Sequence, residues 1–508
     1  MRRLEIFLNR EINPASLVFF RVAFGLIIFW DTVRHFIDDL IGRYWIEPSF
    51  HFQYTGFAWV QPLPGPYLYV LWVLIGLAAL AVSAGFYYRF ATLFLGFTLS
   101  YFFLIEEARY MNHSYLIILL CFIMALLPLN QVIAFDQRRL KSNRKSLPYW
   151  PLAILQFHIA LPYFFGGIAK LQSDWLRGQP LGLWLGGMTD LPVIGKLLGF
   201  HWTALLFSYS GLLIDLFAVP LLFWKRSRVF IFIILCSFHF LNSHLFIIDI
   251  FPWFMIAGTS LFFEPDWPLE LYRHLRSSRL QMALYAVLGL VSGSLAVYLH
   301  GFLNPLVFLI GFLAGSLSYF AITHFNNEKP EPARKSASKG KRAKNERADF
   351  SLANRPVLVG FLTLWVLVQI ALPFRHFFIP GNSIWTEEGH RFAWHMMLRS
   401  KQGSITYLVD NLRTGEQLEV DPLSELTYWQ YNRFENAPDL IAEYARHLHD
   451  SYQQKTGDDF RVRARTLVSL NGRKAQPIID SSIDLGNEPE AIWHASWILP
   501  LREALPNP

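Results

Sequence analysis

The chain has 508 residues, of which 53% are hydrophobic and only 16% charged, and its mean hydropathy is +0.29. A soluble protein of this size needs far less apolar length for its core, so the composition excludes that class and predicts an integral membrane protein. The net charge of +7 arises from Lys and Arg clustered in loops between apolar runs. This is the positive-inside pattern of a multi-pass protein, and it requires no nucleic-acid partner.

Apolar runs recur along the chain at about the length that a helix needs to cross a hydrocarbon core of about 30 Å. They predict a polytopic all-α bundle of about eight to eleven helices. The first run is long enough to stay as a spanning helix rather than serve as a cleaved signal core. The runs are 17–36, 67–85, 90–105, 115–129, 152–168, 204–224, 229–246, 250–263, 280–299, 302–322 and 356–372.

The basic loops orient this bundle. Residues 138–145, 225–228, 273–279 and 334–347 fall on one side if the helices alternate, and that side should be cytoplasmic. The opposite side then receives 106–113, 170–202, 242–244 and everything after 373. These segments should share one non-cytoplasmic surface.

Composition divides the chain into four parts. Residues 1–326 read as a transmembrane helical domain, 327–350 as a basic, disordered cytoplasmic loop and 351–372 as the last transmembrane helix. Residues 373–508 should form a small extracytoplasmic, β-rich α+β domain. Its signals are the alternating runs 405–410 and 417–420, a helix at 438–452, and a hairpin in which Asn471-Gly472 joins 461–470 to 475–479.

Common enzyme motifs are absent from the sequence. It has no Gly-rich phosphate loop, Cys-x-x-Cys, His-Glu-x-x-His or Gly-x-Ser-x-Gly, which argues against nucleotide or zinc chemistry and predicts no metal site. The two cysteines, Cys121 and Cys236, lie inside apolar runs and predict neither a metal cluster nor a disulfide.

Lys170 is the most suggestive single residue, because it follows the apolar run Ala160–Ala169. An ammonium against apolar surface is disfavoured relative to its neutral amine, which would allow Lys170 to act as a base. Gly166 and Gly167 share its helix face and leave room for a flat ring, and Tyr163 lies two turns earlier. The alternative is a lysine that merely extends to the membrane interface.

Other polar residues gather at helix ends. Asn112 and His113 begin one span, and His239, Asn242 and Ser243 have the i, i+3, i+4 spacing of one helix face. They could contribute to a site, or they could be a polar helix cap and interhelical hydrogen bonds.

These segments resemble the vitamin K-dependent gamma-carboxylase family. The string Tyr163–Gly178 is similar to the family segment that carries its catalytic lysine, and the resemblance identifies a bacterial-type homologue with an HTTM-type membrane domain. Further similar stretches are Asn112–Leu116, Gly211–Leu216, His239–Phe246, Trp394–Met397 and Val468–Arg473.

The resemblance implies a mechanism. A lysine amine deprotonates reduced vitamin K, oxygen adds, and the strongly basic alkoxide that forms removes a γ-proton from a protein glutamate, which then captures carbon dioxide. By similarity, Lys170 is the base, and Asn112 and His113 stabilise the oxygenated quinone. Arg375 and His376 are candidates for the glutamate or carbon dioxide side.

The resemblance also implies partners and a location. The enzyme would be a carbon–carbon lyase that uses phylloquinol or menaquinol with oxygen and carbon dioxide, and no metal. Its partners would be the lipid bilayer, a glutamate-containing protein or peptide, and a quinone reductase that recycles the epoxide. It would lie in the inner or plasma membrane with its C-terminal domain outside.

The chain departs from the family's vertebrate members at several points. Ala169-Lys170 stands where they have two lysines, and His395 stands where they have Asp. Both cysteines are intramembrane, so the disulfide that joins the two parts in those members has no equivalent.

Two other functions compete with carboxylation. One is a quinol epoxidase or oxygenase that does not carboxylate. The other is a membrane transporter or scaffold with an extracytoplasmic binding domain, in which Arg21, Asp31 and Asp215 would mark a polar pathway.

Overall fold

A computed structural model describes residues 2–142, 144–190, 195–246, 248–277, 350–491 and 493–506. The predicted spans 280–299 and 302–322 and all but the last residue of the predicted loop 327–350 lie outside the described residues. The three boundaries between the four parts therefore stay a prediction.

The N-terminal part is helical. Its helices are α1 (Arg2–Leu8), α2 (Ala15–Ile37), α3 (Leu40–Trp45), α4 (Gly65–Ala84), α5 (Tyr88–Ile105), α6 (Asn112–Leu126), α7 (Phe135–Arg139), α8 (Trp150–Ala169), α9 (Ser173–Leu176), α10 (Leu181–Gly186), α11 (Gly195–Leu198), α12 (His201–Phe223), α13 (Arg228–Leu245), α14 (Phe251–Thr259) and α15 (Trp267–Ser277). Two short strands, β1 (Glu11–Ile12) and β2 (Leu147–Pro148), pair in an antiparallel arrangement.

After the undescribed segment, α16 (Pro356–Phe374) leads to the outer domain. The outer domain contains helices α17 (Ser383–Thr386), α18 (Tyr428–Phe434) and α19 (Pro438–Thr456) and strands β3 (Lys401–Asn411), β4 (Gln417–Val420) and β5 (Phe460–Leu470). Single 3-10 turns cover Glu107–Arg109, Ser260–Phe262, Leu352–Asn354, Arg375–Phe378 and Pro422–Ser424.

Among the described residues, six helices are long and apolar enough to cross a membrane, namely α2, α4, α5, α8, α12 and α16 with its following turn. Shorter apolar helices lie in α6, α13 and α14. The predicted fold class, a polytopic helical bundle followed by a small sheet-containing domain, is confirmed. The predicted spans at 115–129, 229–246 and 250–263 are these shorter helices.

The bundle core forms where α2 packs on α4, α5 on α6 and α8 on α12. Arg21 is buried in this core, where it is bonded to the protein backbone rather than lining a polar pathway. Its Nη1 donates to the Leu129 carbonyl at 2.6 Å and its Nη2 to the Ile133 carbonyl at 2.6 Å. Arg21 therefore ties down the loop after α6, because those carbonyls have no helical partner.

The outer domain is built on an antiparallel sheet of order β4-β3-β5. Lys401 pairs with Leu470 at one end and Asn411 with Phe460 at the other, while α19 packs on β5. The 405–410 and 417–420 hairpin forms with Tyr407 opposite Val420.

The prediction of a strand at 475–479 is wrong. Asn471 and Gly472 do turn the chain with φ of 53° and 81°, as an Asn-Gly hairpin requires. Only isolated bridges follow, from Val468 to Gln476 and from Ile479 to Ile498. Pro477 has no N–H to donate to a ladder, so continuous pairing ends there.

The two parts are joined by a buried ion pair. The Asp174 carboxylate in α9 accepts hydrogen bonds from Arg473 Nη1 at 2.6 Å and from Arg473 Nη2 at 2.7 Å. It accepts a third from Asn471 Nδ2 at 2.8 Å. Burial alone would raise the pKa of Asp174, but the hydrogen bonds from Arg473 and Asn471 outweigh it and lower that pKa. The Asn-Gly turn thus presents Arg473 to the segment that follows Lys170.

Candidate active site

A cavity of about 600 Å³ lies between the helix bundle and the outer domain. Its membrane end is lined by Lys170, Asp215, Tyr163, His239, Asn112 and His113, and its outer end by Glu107, Glu387, Arg391, Arg399, Lys401 and Arg433. Met396, Met397 and Leu398 line it as well. One cavity therefore has a lysine at its membrane end, cationic side chains at its outer end and apolar side chains along its wall.

Lys170 is at the C-terminal end of α8, and its partner lies on α12. Its Nζ is 2.5 Å from Asp215 Oδ2, and the two residues are only 6% and 5% exposed. The indole ring of Trp175 has its centroid 5.1 Å from the same nitrogen. The lysine is thus held in an apolar setting with one carboxylate as its counter-ion.

The glycines before Lys170 serve helix packing. A Cβ on Gly167 would lie 2.7 Å from Leu216 Cδ2, so only glycine lets α8 approach α12 this closely. A Cβ on Gly166 would lie 3.2 Å from Met396 Cε and 3.4 Å from Asp215 Oδ2. The close approach of the two helices brings Asp215 to Lys170.

A second polar pair faces the same end of the cavity. Tyr163 Oη lies 2.6 Å from His239 Nε2, and both side chains are buried. His239 Nδ1 is buried without a hydrogen-bond partner among the described residues. The Phe251 ring lies near both His239 and His113, with centroid distances of 5.9 Å and 6.0 Å. His239 therefore lines the cavity with one ring nitrogen bonded to Tyr163 and the other without a partner among the described residues.

Asn112 connects the bundle to the outer domain at the start of α6. Its Oδ1 accepts the Tyr110 hydroxyl at 2.9 Å, and its Nδ2 donates to the His395 carbonyl at 2.9 Å. The Tyr110 hydroxyl in turn accepts the Phe392 N–H at 2.6 Å. These bonds fix the segment around Trp394–Met397 over the lysine end.

The outer end holds a charged cluster around Glu387. Lys401 Nζ and Arg399 Nε each lie 2.7 Å from Glu387 Oε1, and Arg399 Nη1 lies 2.7 Å from His390 Nε2. Burial lowers the pKa of Lys401 to about 8 and that of His390 well below its usual value. His395, also buried, has its pKa lowered to about 3. His390 and His395 are therefore neutral.

A further cationic group stands opposite. Arg391 Nε lies 3.1 Å from Glu107 Oε1, and its Nη1 also binds Asp439. Burial opposes the charge of Arg391, but Asp439 and Glu107 outweigh it and raise its pKa. Arg433 lines the same end of the cavity. The outer end is lined by four cationic side chains and two carboxylates, and Asp439 beside Arg391 adds a third carboxylate, so a net positive charge remains that favours an anion.

The structure brings together six of the residues proposed from sequence. Lys170, Asn112, His113, Tyr163, His239 and Asn242 all line the cavity. Gly166, Gly167, Ser243, Arg375 and His376 are not among its lining residues. The Ser243 hydroxyl donates to the Phe240 carbonyl at 2.7 Å.

Arg375 and His376 lie behind the cavity wall. Arg375 Nη2 donates to the Arg391 carbonyl at 2.8 Å, and His376 Nδ1 lies 2.8 Å from the Pro373 carbonyl. The His376 ring centroid is 4.6 Å from that of His395. These residues support the lining segment rather than face the cavity.

Two features of the site were missed from sequence. Asp215 enters the sequence analysis only within the Gly211–Leu216 stretch and in the alternative polar pathway, although it is the direct partner of Lys170 from 45 residues away. The sequence pattern does not predict the cationic cluster, because its members are spread over a loop, the start of β3 and α18. They are Arg391, Arg399, Lys401 and Arg433. A signal existed in Arg399 and Lys401, which follow the Trp394–Met397 stretch directly.

Two family models match the chain. The HTTM domain matches residues 9–267, half of the chain, and the lumenal domain of vitamin K-dependent gamma-carboxylase matches residues 354–504. The chain belongs to the vitamin K-dependent gamma-carboxylase family. This membership, with the six apolar helices, makes it a multi-pass membrane protein whose C-terminal domain is extracytoplasmic. No solved structure matches this family member.

Proposed function

We propose that this protein oxygenates a reduced vitamin K-type quinol to its epoxide at Lys170 and couples that reaction to the carboxylation of a protein glutamate. The observation that carries the proposal is the Lys170–Asp215 pair, buried at one end of a cavity whose other end is cationic. A base for the quinol and a site for a carboxylate then share one chamber.

The residues at the membrane end fit a quinol. The cavity volume of about 600 Å³ falls within the roughly 300–1,000 Å³ of small-molecule sites. Apolar and aromatic walls suit a quinone ring, and the unpartnered His239 Nδ1 would bind one ring oxygen. Asn112 and His113 lie on the same wall, where they would stabilise developing negative charge. Phylloquinol and menaquinol both present this ring.

Asp215 allows Lys170 to act as a base. In a buried ion pair, moving the proton from the ammonium to the carboxylate removes both charges from a low-dielectric site. The neutral amine that remains can accept the quinol proton, and Asp215 can hold the proton that the lysine gave up. The Trp175 ring limits contact with water.

Oxygenation of the quinol supplies the strong base that a glutamate γ-carbon requires, and such a base survives only where water is excluded. The cationic residues Arg391, Arg399 and Arg433 would hold the glutamate carboxylate, since guanidinium groups bind carboxylates in fixed geometry. The γ-carbon would then point along Met396 and Met397 toward the lysine end. Carbon dioxide would join the resulting carbanion.

This function requires further partners. A quinone reductase must recycle the epoxide, and a glutamate-containing peptide must reach the outer end from the extracytoplasmic side. We place the protein in an inner or plasma membrane.

The test is to supply the purified protein, in lipid nanodiscs, with phylloquinol or menaquinol, oxygen, bicarbonate and a short Glu peptide. Epoxide and γ-carboxyglutamate should form together. Epoxide alone would replace the proposal with a quinol epoxidase, and neither product would overturn it in favour of a binding or transport protein.

A further inference from the structure

The cavity of about 600 Å³ that contains Lys170 is the proposed reaction cavity. A second, smaller cavity adjoins it at His113. It has a volume of about 70 Å³, and it shares Met111 and His113 with the large cavity as lining residues. Its other titratable lining residues are Asp31, His35, Glu106, Arg109 and Asp249, and Ser114 lines it as well. The mechanism above uses none of these five side chains. His113 therefore has a polar chamber behind it.

This small cavity suits water. Its volume admits a few water molecules, and its walls supply the several polar partners that each would need. His35 is 3% exposed and its Nε2 has no hydrogen-bond partner among the described residues. Arg34 Nη2 binds Asp249 Oδ1 at 2.6 Å and Arg34 Nη1 lies 3.6 Å from Asp31 Oδ1, which keeps both carboxylates beside the chamber.

Glu106 and His51 connect this chamber to the outside. The Glu106 side chain is fully buried and its Oε2 lies 3.1 Å from His51 Nδ1 and 2.9 Å from Gln430 Nε2. His51 lines a third cavity of about 450 Å³, which shares Trp45 with the small one. Exposed Ser49, Gln61 and Leu63 also line the third cavity, so it opens at the outer surface.

The proposed reaction needs such a connection. Quinol, oxygen, the glutamate Cγ–H and carbon dioxide give quinone epoxide, γ-carboxyglutamate, one water and one proton. The net proton must leave a chamber that stays dry enough for a strong base. A chain of titratable groups with a few confined waters moves a proton without admitting bulk water to the substrate end.

We propose that the small cavity is a proton-release route, in which His113 passes the proton through confined water beside Asp31 and Asp249 to the Glu106–His51 pair, and His51 releases it into the outer cavity. This inference rests on the proposed function and adds to it an exit distinct from the substrate entrance. Glu106 and His51 are positioning and relay residues, since neither lines the reaction cavity.

Chemical rescue tests the route. In the full-length protein in nanodiscs, His51→Ala should lower kcat for epoxide formation about tenfold. Imidazole, which is small enough for the outer cavity, should restore most of that rate in a concentration-dependent way. Glu106→Gln keeps the side-chain shape but cannot carry the proton, so it should lower kcat without imidazole rescue and increase the solvent deuterium isotope effect. The KM for quinol and the ratio of carboxylation to epoxidation should stay unchanged in both variants.

A second His–Glu pair supplies the matched control. His447 Nε2 lies 3.0 Å from Glu425 Oε1, and neither residue lines any of the three cavities. His447→Ala and Glu425→Gln should leave kcat, isotope effect and imidazole response unchanged.

The outcomes separate the two proposals. Normal kcat in His51→Ala and Glu106→Gln, or a loss of rate that comes with a raised quinol KM and no rescue, would overturn the route while leaving the proposed function in place. No epoxide from the wild-type protein would overturn the proposed function, and the route with it.

Discussion

The two ends of the reaction cavity are built on opposite electrostatic principles. At the membrane end one lysine meets one carboxylate among buried aromatic and apolar groups, so charge is balanced and water is scarce. At the outer end four cationic side chains face three carboxylates, counting Asp439 beside Arg391, so positive charge is in excess. The first arrangement suits proton transfer and the second suits anion binding. The comparison therefore predicts that substitutions at the two ends will fail in different ways.

Of the substitutions that test this comparison, Asp215→Asn at the membrane end should have the largest effect on activity. The amide keeps the shape of the side chain but cannot take the lysine proton, so epoxide formation should fall by about 100-fold. Carboxylation should fall in the same proportion, because it depends on the oxygenation. Both products are measured under saturating quinol. A variant that loses carboxylation but still makes epoxide at the wild-type rate would contradict the assignment of Asp215 to the membrane end.

Arg399→Gln should weaken anion binding at the outer end of the cavity. Loss of its guanidinium removes a charged hydrogen-bond donor for the substrate carboxylate, which should raise the KM for the Glu peptide about 10-fold. Epoxide should continue to form, so the ratio of carboxylation to epoxidation drops at low peptide concentration. The control is Arg413→Gln, which changes an exposed arginine that pairs with Asp458. Equal losses of both products in Arg399→Gln would mean that the two ends are not functionally separate.

Arg473→Met should loosen the connection between the ends. It leaves Asp174 as an uncompensated buried carboxylate, which should cost about 3–5 kcal/mol in the free energy of unfolding. The measurement is denaturant unfolding in detergent, with Arg465→Met at an exposed ion pair as the control. An unchanged unfolding midpoint in Arg473→Met would show that this ion pair does not hold the domains.

The same pair gives a pH dependence with a definite sign. The folded-state pKa of Asp174 is lowered, so its stabilisation is present above the ordinary carboxyl pKa and is lost as pH falls through the lowered value. Arg473→Met should remove this acid-side loss.

The smallest effect should be a pH dependence at the outer end. Because burial lowers the pKa of Lys401 to about 8, its positive charge is lost as pH rises through about 8. The KM for the Glu peptide should then rise by about twofold to fivefold, while the KM for quinol stays constant. Lys401→Arg should abolish the rise. A peptide KM that is flat from pH 7 to pH 9 in the wild type would remove Lys401 from the anion site.

Most of the residues at the membrane end of the cavity could be predicted from the sequence. Lys170, Asn112, His113 and His239 stand at the ends of apolar helices, where a polar residue is conspicuous. The Asp215 partnership was not accessible, because it depends on how closely Gly167 lets α8 approach α12. Helix register across an interface is a packing outcome that local patterns do not encode.

The outer end of the cavity was harder to predict from the sequence. Its arginines come from separate loops and elements, and each one alone resembles an ordinary solvated charge. The alternating run at 405–410 predicted a strand correctly, whereas 475–479 formed isolated bridges because Pro477 interrupts the ladder. Local pattern thus specified the elements of the outer domain but not the cluster that its tertiary fold assembles.

The central claim, that Lys170 is the base, is tested most directly by epoxide formation in Lys170→Ala, with exposed Lys196→Ala as the matched control. The account predicts a rate about 1,000-fold below wild type in Lys170→Ala, within the range of general-base contributions, and a wild-type rate in Lys196→Ala. A small primary amine added to the Lys170→Ala protein should recover part of the rate. Epoxide formation by Lys170→Ala at the wild-type rate without added amine would contradict the claim.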